Sequence, residues 1–496
     1  MPKSSIYFIG IGGIGMSALA RWYAAQGWRV AGYDRVDSDL TRALKELGIE
    51  IGDELPANLA ERPTEWTVVR TPAVALEHPI CTWFLQRGVP MLKRSEVLGQ
   101  LTAQRPTIAV AGTHGKTTTS ALLAHILIHA GRSCDAFLGG LIAPFGDRTE
   151  PTNLLLSADR TQMPNDVGAG VDPASAKADW TVVEADEFDR SFLTLFPQAA
   201  VITSVDADHM DIYGDGETML AAFREFGGQV DGGGLFIHED AARAMGLEGN
   251  GVATYGWEVE REEDHKCSAA GAGRGPTFGL ADFEVVDGRT HFSVGLPSEA
   301  GLTGGIRQPI VSPMPGRHNA ENVQAAALLA SYAGVEPAEI AAAMACFPGV
   351  FRRFQVYALK SGHTVVNDYA HHPVEIRRTV EAAREQFPGR KLSGIFQPHL
   401  YSRTRDFAAE FGRALSALDR CCVAPIFPAR EVPLKGVDSH LILENIAGIP
   451  AETSDVSTFL SLLEPMSEEV ILVLGAGDID RMIPDLISLL EGGSER

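Results

Sequence analysis

Twice in this chain an apolar run passes through a glycine-rich turn into a helix-like segment, and this order of elements constrains the fold most. The first apolar run, at 6–9, leads into the turn at 10–15. The second, at 107–111, leads into a turn that begins at Gly112. Strands that alternate with helices form parallel sheets covered by those helices. The sequence therefore predicts an α/β fold.

The chain is long enough for about three domains of roughly 150 residues each. We expect a Rossmann-like domain over 1–104, a central P-loop ATPase-like domain with a mostly parallel sheet over 105–350, and a C-terminal Rossmann-like domain over 351–496. Two polar segments interrupt the alternation of elements. The segment at 157–178 is predicted to be a surface insertion, and the segment at 262–276 a loop.

The charge balance is strongly acidic, with 42 Lys and Arg against 64 Asp and Glu and a net charge of −22. Such a chain is a poor candidate to bind nucleic acids or anionic membranes, so neither is expected as a partner. No signal-peptide pattern and no transmembrane-length apolar run is found. The six cysteines form no C-x-x-C pair, which argues against zinc and suits a reducing compartment. These features together predict a cytoplasmic protein.

The first glycine turn fits the pattern G-x-G-x-x-G, with its glycines at Gly10, Gly12 and Gly15. Glycines let the backbone approach a pyrophosphate, and the following helix N-terminus adds amide donors and a positive dipole end. Asp34 ends the next strand, where an acid that binds ribose is expected. The pattern favours a diphosphate ligand, of which a nicotinamide dinucleotide is one of several kinds. A tight turn without a ligand is the alternative.

The strongest local signal is the segment 112–119, which follows an apolar strand and opens a helix. Its backbone N–H groups should wrap phosphates, Lys116 should reach the β and γ oxygens, and the Thr117 hydroxyl should face Mg²⁺. The match to the full Walker pattern is incomplete, because Val110 stands where that pattern has a glycine. The segment predicts an ATP site.

Acidic clusters follow two further apolar strands. Glu184 begins one cluster after the strand predicted at 180–183, and Asp206 and His209 belong to another after the strand predicted at 200–203. The carboxyl ends of parallel strands form the ligand crevice of such sheets, and carboxylates there can hold Mg²⁺ beside an ATP tail. The alternative for any single acid is a solvated loop charge or a helix cap.

Histidine-bearing loops follow two strands of the C-terminal unit, at 367–373 and 397–403. They suggest a polar site, although a single histidine is more often a structural hydrogen-bonding residue. The glycine turn at 475–478 looks like another phosphate turn, but a plain turn with an Asp helix cap is the better interpretation.

Taken together, these residues resemble the Mur ligase family. The resemblance covers nearly the whole chain, with motifs in the family's order. They are Gly-Ile-Gly-Gly-Ile-Gly-Met-Ser at 10–17, Gly-Thr-His-Gly-Lys-Thr-Thr-Thr at 112–119, Glu-Ala-Asp-Glu-Phe-Asp-Arg-Ser-Phe at 184–192, Asp-Ala-Asp-His-Met-Asp at 206–211, Pro-Gly-Arg-His-Asn-Ala-Glu-Asn at 315–322, Arg-Arg-Phe at 352–354, Asp-Tyr-Ala-His-His-Pro at 368–373 and Phe-Gln-Pro-His at 396–399.

The resemblance implies a role for each matching residue. The UDP-linked substrate would be bound by Gly10, Gly12, Gly13, Ile14, Gly15, Asp34 and Ser191. ATP would be bound by Gly112, Thr113, His114, Gly115, Lys116, Thr117, Thr118, Asn319, Asn322 and Arg353. The metal ligands would be Thr117, Glu184 and His209. The incoming amino acid would be near His399 and Arg403, and the catalytic residues would be Lys116, His371 and Arg403.

The resemblance also implies an activity, and it favours those members that join L-alanine to the lactyl carboxylate of UDP-N-acetylmuramate. The reaction would consume ATP, pass through an acyl phosphate, and release ADP and phosphate in peptidoglycan precursor synthesis. Mg²⁺ or Mn²⁺ would be the cofactor. The partners would be UDP-N-acetylmuramate, L-alanine and ATP, and the enzyme would be a monomer or a homodimer.

The chain departs from the family pattern at three places. Asn367 precedes Asp368 where the family often has two aspartates, and Leu400 stands where alanine ligases often have arginine. Arg403 is therefore the better candidate to hold the carboxylate of the amino acid. The segment 71–74 differs from the family's usual Ser-Ser-Ala-Ile, so its assignment as the substrate loop does not follow from the pattern.

Three other functions remain open at this point. A ligase that attaches a preformed tripeptide to the same nucleotide is the near alternative, although its first glycine loop usually differs from the one seen here. An NAD-dependent dehydrogenase would explain the first glycine turn but not the segment 112–119. A catalytically inactive nucleotide-binding regulator would leave the retained Lys116, Thr117, Glu184 and His209 without a purpose.

Overall fold

The computed structural model describes residues 4–53, 55–143, 151–157, 180–207, 210–230, 233–248, 250–258, 275–298, 301–429, 431–453 and 469–492. Apart from Ser157, the predicted insertion at 157–178 lies outside the described residues. The same holds for the loop predicted at 262–276, except for its last two residues. His209 also lies outside them.

The described residues form strands and helices in alternation over most of the chain. The strands are β1 (Ser5–Ile9), β2 (Arg29–Tyr33), β3 (Glu50–Ile51), β4 (Trp66–Arg70), β5 (Met91–Lys93), β6 (Thr107–Ala111), β7 (Cys134–Ile142), β8 (Thr152–Leu155), β9 (Trp180–Ala185), β10 (Ala199–Ile202), β11 (Leu235–His238), β12 (Ala253–Trp257), β13 (Thr277–Val286), β14 (Arg289–Ser298), β15 (Gly301–Ser312), β16 (Gln355–Ala358), β17 (Thr364–Asp368), β18 (Lys391–Phe396), β19 (Arg420–Val423), β20 (Ala451–Thr453) and β21 (Glu469–Leu474).

The α-helices are α1 (Ile14–Ala25), α2 (Asp39–Glu46), α3 (Ala57–Glu61), α4 (Pro79–Gln86), α5 (Arg94–Thr102), α6 (Lys116–His129), α7 (Met210–Tyr213), α8 (Gly216–Gly227), α9 (Glu239–Ala244), α10 (Arg317–Tyr332), α11 (Pro337–Ala345), α12 (Pro373–Gln386), α13 (Tyr401–Leu415), α14 (His440–Leu443) and α15 (Ile483–Leu490). Short 3₁₀ helices span Pro63–Glu65, Phe188–Thr194 and Ile479–Met482.

The first sheet has five parallel strands in the order β3-β2-β1-β4-β5. Its central strand β1 is apolar and almost wholly buried, because parallel strands are covered by helices on both faces. Ser5 of β1 pairs with Arg29 of β2 on one side and with Trp66 of β4 on the other. The glycine turn at 10–15 therefore leaves the carboxyl end of the central strand and enters α1.

The second sheet has ten strands in the order β15-β14-β13-β12-β11-β10-β6-β9-β7-β8. β6 is fully buried and pairs in parallel with β10 and β9, so the segment that follows it lies between the ends of those two strands. At one edge, β8 pairs antiparallel with β7. Helix α6 is buried along most of its length, which explains its mostly apolar sequence after Ser120.

The third sheet has six strands in the order β16-β17-β21-β18-β19-β20. Only β16 runs antiparallel to its neighbour, and the other pairs are parallel. Leu474 at the end of β21 pairs with Asp368 of β17 and with Phe396 of β18. The loops that follow these three strands therefore start side by side at one edge of the sheet.

The prediction of an α/β fold with a mostly parallel central sheet is confirmed. The chain divides into two compact units. The first comprises Met1–Ala281, Ser293–Ile310 and Glu321–Pro348, and the second comprises Asp282–Phe292, Val311–Ala320 and Gly349–Arg496. Within the part of the chain that the structure describes, no helix combines the length and the apolar character needed to cross a membrane.

Candidate functional site

The glycine turn of the first sheet is held by hydrogen bonds to the end of β2. The amides of Gly10 and Ile11 donate to the Tyr33 carbonyl at 2.7 and 3.0 Å. The Gly12 amide donates to the Asp34 carboxylate at 2.8 Å. The structure thus brings Asp34 onto the turn, where it occupies one of the amides that the motif would offer to a phosphate.

Two of the glycines are required by close contacts. Gly10 has a φ of +84°, and a Cβ atom there would clash with the side chain of Thr71. A Cβ atom on Gly15 would lie 2.9 Å from Nη1 of Arg94, so this guanidinium packs against the glycine. Arg94 also lies 3.8 Å from the Asp186 carboxylate. The sequence analysis did not single out Arg94, because nothing in the chain order connects it with the turn.

Of the remaining predicted substrate residues, two belong to the glycine turn and the third lies in a separate segment. Gly13 is the N-cap of α1, and Ile14 is the first residue of that helix. Ser191 lies in a 3₁₀ helix, where its hydroxyl donates to the carbonyls of Asp186 and Phe188, each at 3.0 Å. Its hydroxyl is therefore engaged with the backbone of its own segment.

Lys116 opens helix α6 and is already paired with an acid. Its Nζ donates to the Gly112 carbonyl at 2.6 Å and to the Glu187 carboxylate at 2.7 and 3.1 Å. Burial alone would lower the pKa of Lys116, but the carboxylates of Glu187, Asp186 and Glu184 outweigh it and raise that pKa. The ammonium therefore stays charged at neutral pH, as the binding of a phosphate requires.

Glu187 is a functional candidate that the sequence analysis missed. Its side chain is buried, and it is the acid that faces Lys116 in the structure. The sequence showed a run of acids from Glu184 to Asp189 but not which of them turns toward the lysine.

The backbone of the phosphate-loop candidate is held by the segment that follows β10. The Thr113 amide donates to the Ser204 carbonyl at 3.0 Å, and the His114 amide donates to Ser204 Oγ at 2.8 Å. Thr203 Oγ1 donates to the His114 carbonyl at 2.5 Å. The His114 ring lies 3.4 Å from the Asp206 carboxylate. The segment after β10 thus holds the backbone of the loop at Thr113 and His114, and the amides of both residues are engaged there.

Thr117 and Glu184 come together beside this loop. Thr117 Oγ1 donates to Glu184 Oε1 at 3.1 Å, and the amide of Gly139 donates to Glu184 Oε2 at 2.9 Å. Glu184 lies within β9, which extends to Ala185 and is therefore longer than the strand predicted at 180–183. The described residues hold no group of three or more His, Cys, Asp and Glu arranged around a metal position.

Asn322 of helix α10 also reaches the loop. Its Oδ1 accepts a hydrogen bond from Thr119 at 3.3 Å, and a Cβ atom on Gly115 would clash with its amide. Thr118 is buried in the first turn of α6. Asn319 belongs to the second compact unit, where its buried side chain donates to the Pro315 carbonyl at 2.7 Å.

The second unit brings the two histidine loops together. The rings of His371 and His399 have centroids 5.8 Å apart, and His399 stacks on Phe427 at 5.9 Å. His371 Nδ1 lies 3.1 Å from the Tyr369 carbonyl and 3.2 Å from the Glu375 carboxylate. Its other ring nitrogen is therefore the one left for chemistry.

Two arginines of this unit, Arg353 and Arg403, are predicted to bind ATP phosphates and the amino acid. The guanidinium of Arg353 lies 5.0 Å from the ring centroid of Tyr369, and Arg403 is buried in the first turn of α13. Leu400, where alanine ligases often have arginine, is buried with a φ of +69° and donates its amide to the Phe427 carbonyl. Its side chain is part of the interior, and the role of Arg403 stays a prediction.

The glycine turn at 475–478 is braced by a nearby arginine. Arg352 donates to the carbonyls of Gly475 and Gly477, and its guanidinium lies 3.2 Å from Asp480. Carbonyl oxygens that face an arginine do not form a phosphate cradle. The turn is therefore closed by Arg352, but the predicted Asp cap is wrong, because the Asp478 side chain makes no capping hydrogen bond to the following 3₁₀ helix and accepts one from Gln397 at 3.0 Å.

Asp368, the last residue of β17, is a buried carboxyl at this edge of the sheet. Burial raises its pKa from 3.8 to about 6, although Arg353 and the amides of Phe354 and Ala370 act in the opposite direction. The two amides donate to its oxygens at 2.7 and 2.8 Å. The carboxyl thus binds its proton more tightly in the folded chain than in the unfolded chain.

We expect the stability conferred by Asp368 to be fully present below about pH 4 and to be lost as the pH rises through about 6. Across this range the loss is about 3 kcal/mol, since one pKa unit corresponds to about 1.4 kcal/mol. Asp368→Asn, which carries no titrating group, should therefore gain stability relative to the wild type between pH 4 and pH 7. Denaturant unfolding of both chains at several pH values measures this, and a pH-independent difference would contradict it.

Models of one family match three successive parts of the chain. The model described as Mur ligase family, catalytic domain, matches residues 5–106. The model of the Mur ligase middle domain matches residues 110–330. The model of the Mur ligase glutamate ligase domain matches residues 352–477.

Curated relatives and solved structures agree with these matches. The UDP-N-acetylmuramate–L-alanine ligase of Cytophaga hutchinsonii is 38% identical, covering 98% of this chain and 97% of the relative. The protein of the same name from Porphyromonas gingivalis W83 is 39% identical, covering 96% and 97%. The crystal structure of UDP-N-acetylmuramate–alanine ligase from Thermotoga maritima matches with a TM-score of 0.74 and 25% identity, covering 99% of this chain and 100% of the other. A murein peptide ligase from Psychrobacter arcticus shares the fold, with a TM-score of 0.63 and 22% identity over 98% and 99% of the two chains.

The curated relatives match almost end to end, and the three family models follow one another in the same order as the three sheets. The chain therefore belongs to the Mur ligase family.

Proposed function

We propose that this chain joins L-alanine to the lactyl carboxylate of UDP-N-acetylmuramate at the expense of ATP, in the cytoplasmic synthesis of peptidoglycan precursors. The observation that carries the proposal is the near full-length similarity to relatives named as L-alanine ligases. The contacts of Lys116, Thr117 and Glu184 support it, because they place a cation, a hydroxyl and a carboxylate around one loop.

The first step would convert a poor acyl donor into a good one. A lactyl carboxylate oxygen attacks the γ-phosphorus of ATP, the bond to the β–γ bridging oxygen breaks, and ADP leaves. Lys116 would neutralise charge on the transferring phosphoryl group. To do so its ammonium exchanges part of its contact with Glu187 for phosphate oxygens.

The oxygen donors beside the loop fit Mg²⁺, with Mn²⁺ as a substitute. A hydroxyl and a carboxylate oxygen 3.1 Å apart, at Thr117 and Glu184, are hard ligands of the kind that Mg²⁺ prefers. When bound, the cation would supply positive charge that offsets the negative charge of the ATP tail and the substrate carboxylate. His209 is the third proposed ligand.

The second step would form the amide bond. The neutral amine of alanine attacks the acyl carbon, the bond from that carbon to the phosphate oxygen breaks, and phosphate leaves. Arg403 would hold the alanine carboxylate. His371 would take the proton of the ammonium on Nε2, because its Nδ1 faces the Tyr369 carbonyl at 3.1 Å and there acts as a donor.

The remaining predictions become part of the same proposal. We assign the UDP diphosphate to the turn at 10–15, and adenine and phosphate contacts to Asn319, Asn322 and Arg353. Domain boundaries near residues 104 and 350 are supported by the family matches, since one model ends at 106 and another begins at 352. A monomer or a homodimer would suffice, since every proposed ligand comes from one chain.

The test is a ligation assay with ATP, UDP-N-acetylmuramate and a panel of alanine, serine, glycine and a preformed peptidoglycan tripeptide. We expect ADP, phosphate and an alanine adduct, with alanine the preferred amine donor. When the lactyl carboxylate is labelled with ¹⁸O, one labelled oxygen should appear in the phosphate. Product formed only with the tripeptide would favour the murein peptide ligase instead, and unlabelled phosphate would refute the acyl phosphate.

A further inference from the structure

Helix α1, which begins within the glycine turn of the first sheet, is held by side chains from the central sheet. The contacts come from β7 and β8 at one edge of that sheet. Asp135 accepts a hydrogen bond from Trp22 Nε1 at 3.0 Å and pairs with Arg105 at 2.8 Å. Thr152 accepts a hydrogen bond from Arg21 at 2.8 Å. Polar contacts thus join the first two sheets along α1.

Asn153 differs from these residues because it reaches the first turn of α1. Its Nδ2 donates to the Ile14 carbonyl at 2.5 Å and to Ser17 Oγ at 2.9 Å, while its Oδ1 accepts from Arg21 at 3.2 Å. The Ser17 hydroxyl donates in turn to the same Ile14 carbonyl at 3.0 Å. Asn153 is completely buried. Both ends of its amide are therefore satisfied inside the protein, and the network fixes the orientation of the amide.

The place of these bonds matters for the reaction. Ile14 stands between the N-cap Gly13 and Gly15, within the turn assigned to the UDP diphosphate. Asn153 belongs to β8, which is part of the sheet whose strand β6 leads into the loop of Lys116. Both elements lie in the first compact unit. The amide of Asn153 thus connects the element that would hold one substrate with the sheet that would hold the other.

We propose that Asn153 is a positioning residue for phosphoryl transfer, which keeps the diphosphate turn in the correct place relative to the ATP loop. The proposal rests on the proposed function, because it takes the glycine turn as the diphosphate site. Transfer requires the lactyl carboxylate to approach the γ-phosphorus in line, and a misplacement of about 1 Å can lower the rate by about 10²-fold. Loss of this clamp should therefore act on turnover more than on substrate affinity.

Asn153→Ala should lower kcat by about 10–100-fold and leave the Kd for ATP within about threefold of wild type. Amide hydrogen exchange over residues 14–19 should become faster, which reports on the clamp without any reaction. Trp22→Phe is the matched control, because it removes a hydrogen bond between the same helix and sheet but leaves the first turn of α1 untouched. Its kcat should stay within about threefold of wild type.

Ser17→Ala provides a milder second variant in case Asn153→Ala loses its fold, since it removes only one of the two acceptors of the amide. We expect a decrease in kcat of about 3–10-fold, and in the double variant a smaller effect than the product of the single ones. Wild-type kcat and wild-type exchange in Asn153→Ala would overturn the proposal. Equal losses in Asn153→Ala and Trp22→Phe would overturn it as well, because they would indicate a general effect of the interface. A wild-type chain that does not ligate refutes the proposed function instead.

Discussion

Lys116→Ala should abolish ligation while the binding of UDP-N-acetylmuramate stays within about threefold of wild type. The loss should reach about 10³-fold or more, because a preorganised cation at the transferring phosphoryl group would be removed from a water-poor site. The two proposed phosphate-binding elements follow different strands of different sheets, β1 and β6. Single-turnover ligation and calorimetric titration with the UDP-linked substrate measure the two effects separately.

Lys116→Ala should also lower the stability of the fold, and a second variant separates this effect from the loss of catalysis. Lys116 is the partner of Glu187, whose side chain is only 1% exposed. A buried carboxylate that loses its partner costs about 3–5 kcal/mol of stability, unless it takes up a proton. Lys116→Ala/Glu187→Gln removes both charges and should be more stable than Lys116→Ala at neutral pH, yet equally inactive.

Lys45→Ala is the control for loss of a lysine elsewhere, since Lys45 is 48% exposed and pairs with Asp37 on the surface. It should ligate like the wild type. If a folded Lys116→Ala/Glu187→Gln chain failed to bind UDP-N-acetylmuramate, the assignment of two separate nucleotide sites would be wrong. Ligation at more than about a tenth of the wild-type rate would contradict the role of Lys116.

The parts of the fold that depend on local sequence could be predicted. The strand at Thr107–Ala111 has the bounds of the predicted apolar run, because a short apolar run that ends at a glycine leaves few alternatives. Helix α1 begins at Ile14, inside the glycine turn at 10–15 and not after it. The N-cap is Gly13, which makes no side-chain capping hydrogen bond. Without a capping residue such as Ser, Thr, Asp or Asn, the first residue of a helix is hard to predict from its sequence.

The contacts that complete the site could not be predicted, since they join residues far apart in the chain. Asn153 bonds to Ile14 across 139 positions, and Arg94 packs on Gly15 because α5 passes the turn. Within the acidic run, Glu184 accepts a hydrogen bond from Thr117, and Glu187 accepts one from Lys116. The sequence identified the run, but only the path of the chain after β9 decides which acid faces which partner.

The proposed metal dependence of the site can be tested at Glu184, whose carboxylate accepts two hydrogen bonds. Two anions, the ATP tail and the lactyl carboxylate, must approach closely before reaction. Two unit charges 4 Å apart repel by about 4 kcal/mol at an effective dielectric of 20, so the proposed cation would lower the barrier to their approach. Glu184 accepts from Thr117 and from the amide of Gly139, which leaves its charge fixed beside the loop of Lys116.

Glu184→Gln should therefore lower turnover by well over about 10-fold, since a lost contribution of only about 1.4 kcal/mol to the transition state is already a factor of ten. The concentration of Mg²⁺ or Mn²⁺ needed for half-maximal rate should rise, because a neutral amide is a weaker ligand than a carboxylate. ATP should still bind through the loop around Lys116. Initial rates across a metal titration, together with ATP binding measured by calorimetry, give these quantities.

Glu217→Gln is the matched control, because it replaces an exposed carboxylate that pairs with Arg224 in the same unit. It should change neither turnover nor the metal titration. Since the introduced amide can accept from the Gly139 N–H with its oxygen and donate to Thr117 Oγ1 with its nitrogen, the folded structure should survive the substitution at Glu184, and melting temperatures of both variants verify this. An unchanged metal titration in a folded Glu184→Gln chain would remove Glu184 from the metal site. Its hydrogen bonds to Thr117 and Gly139 would then be structural, serving to hold the loop against β9.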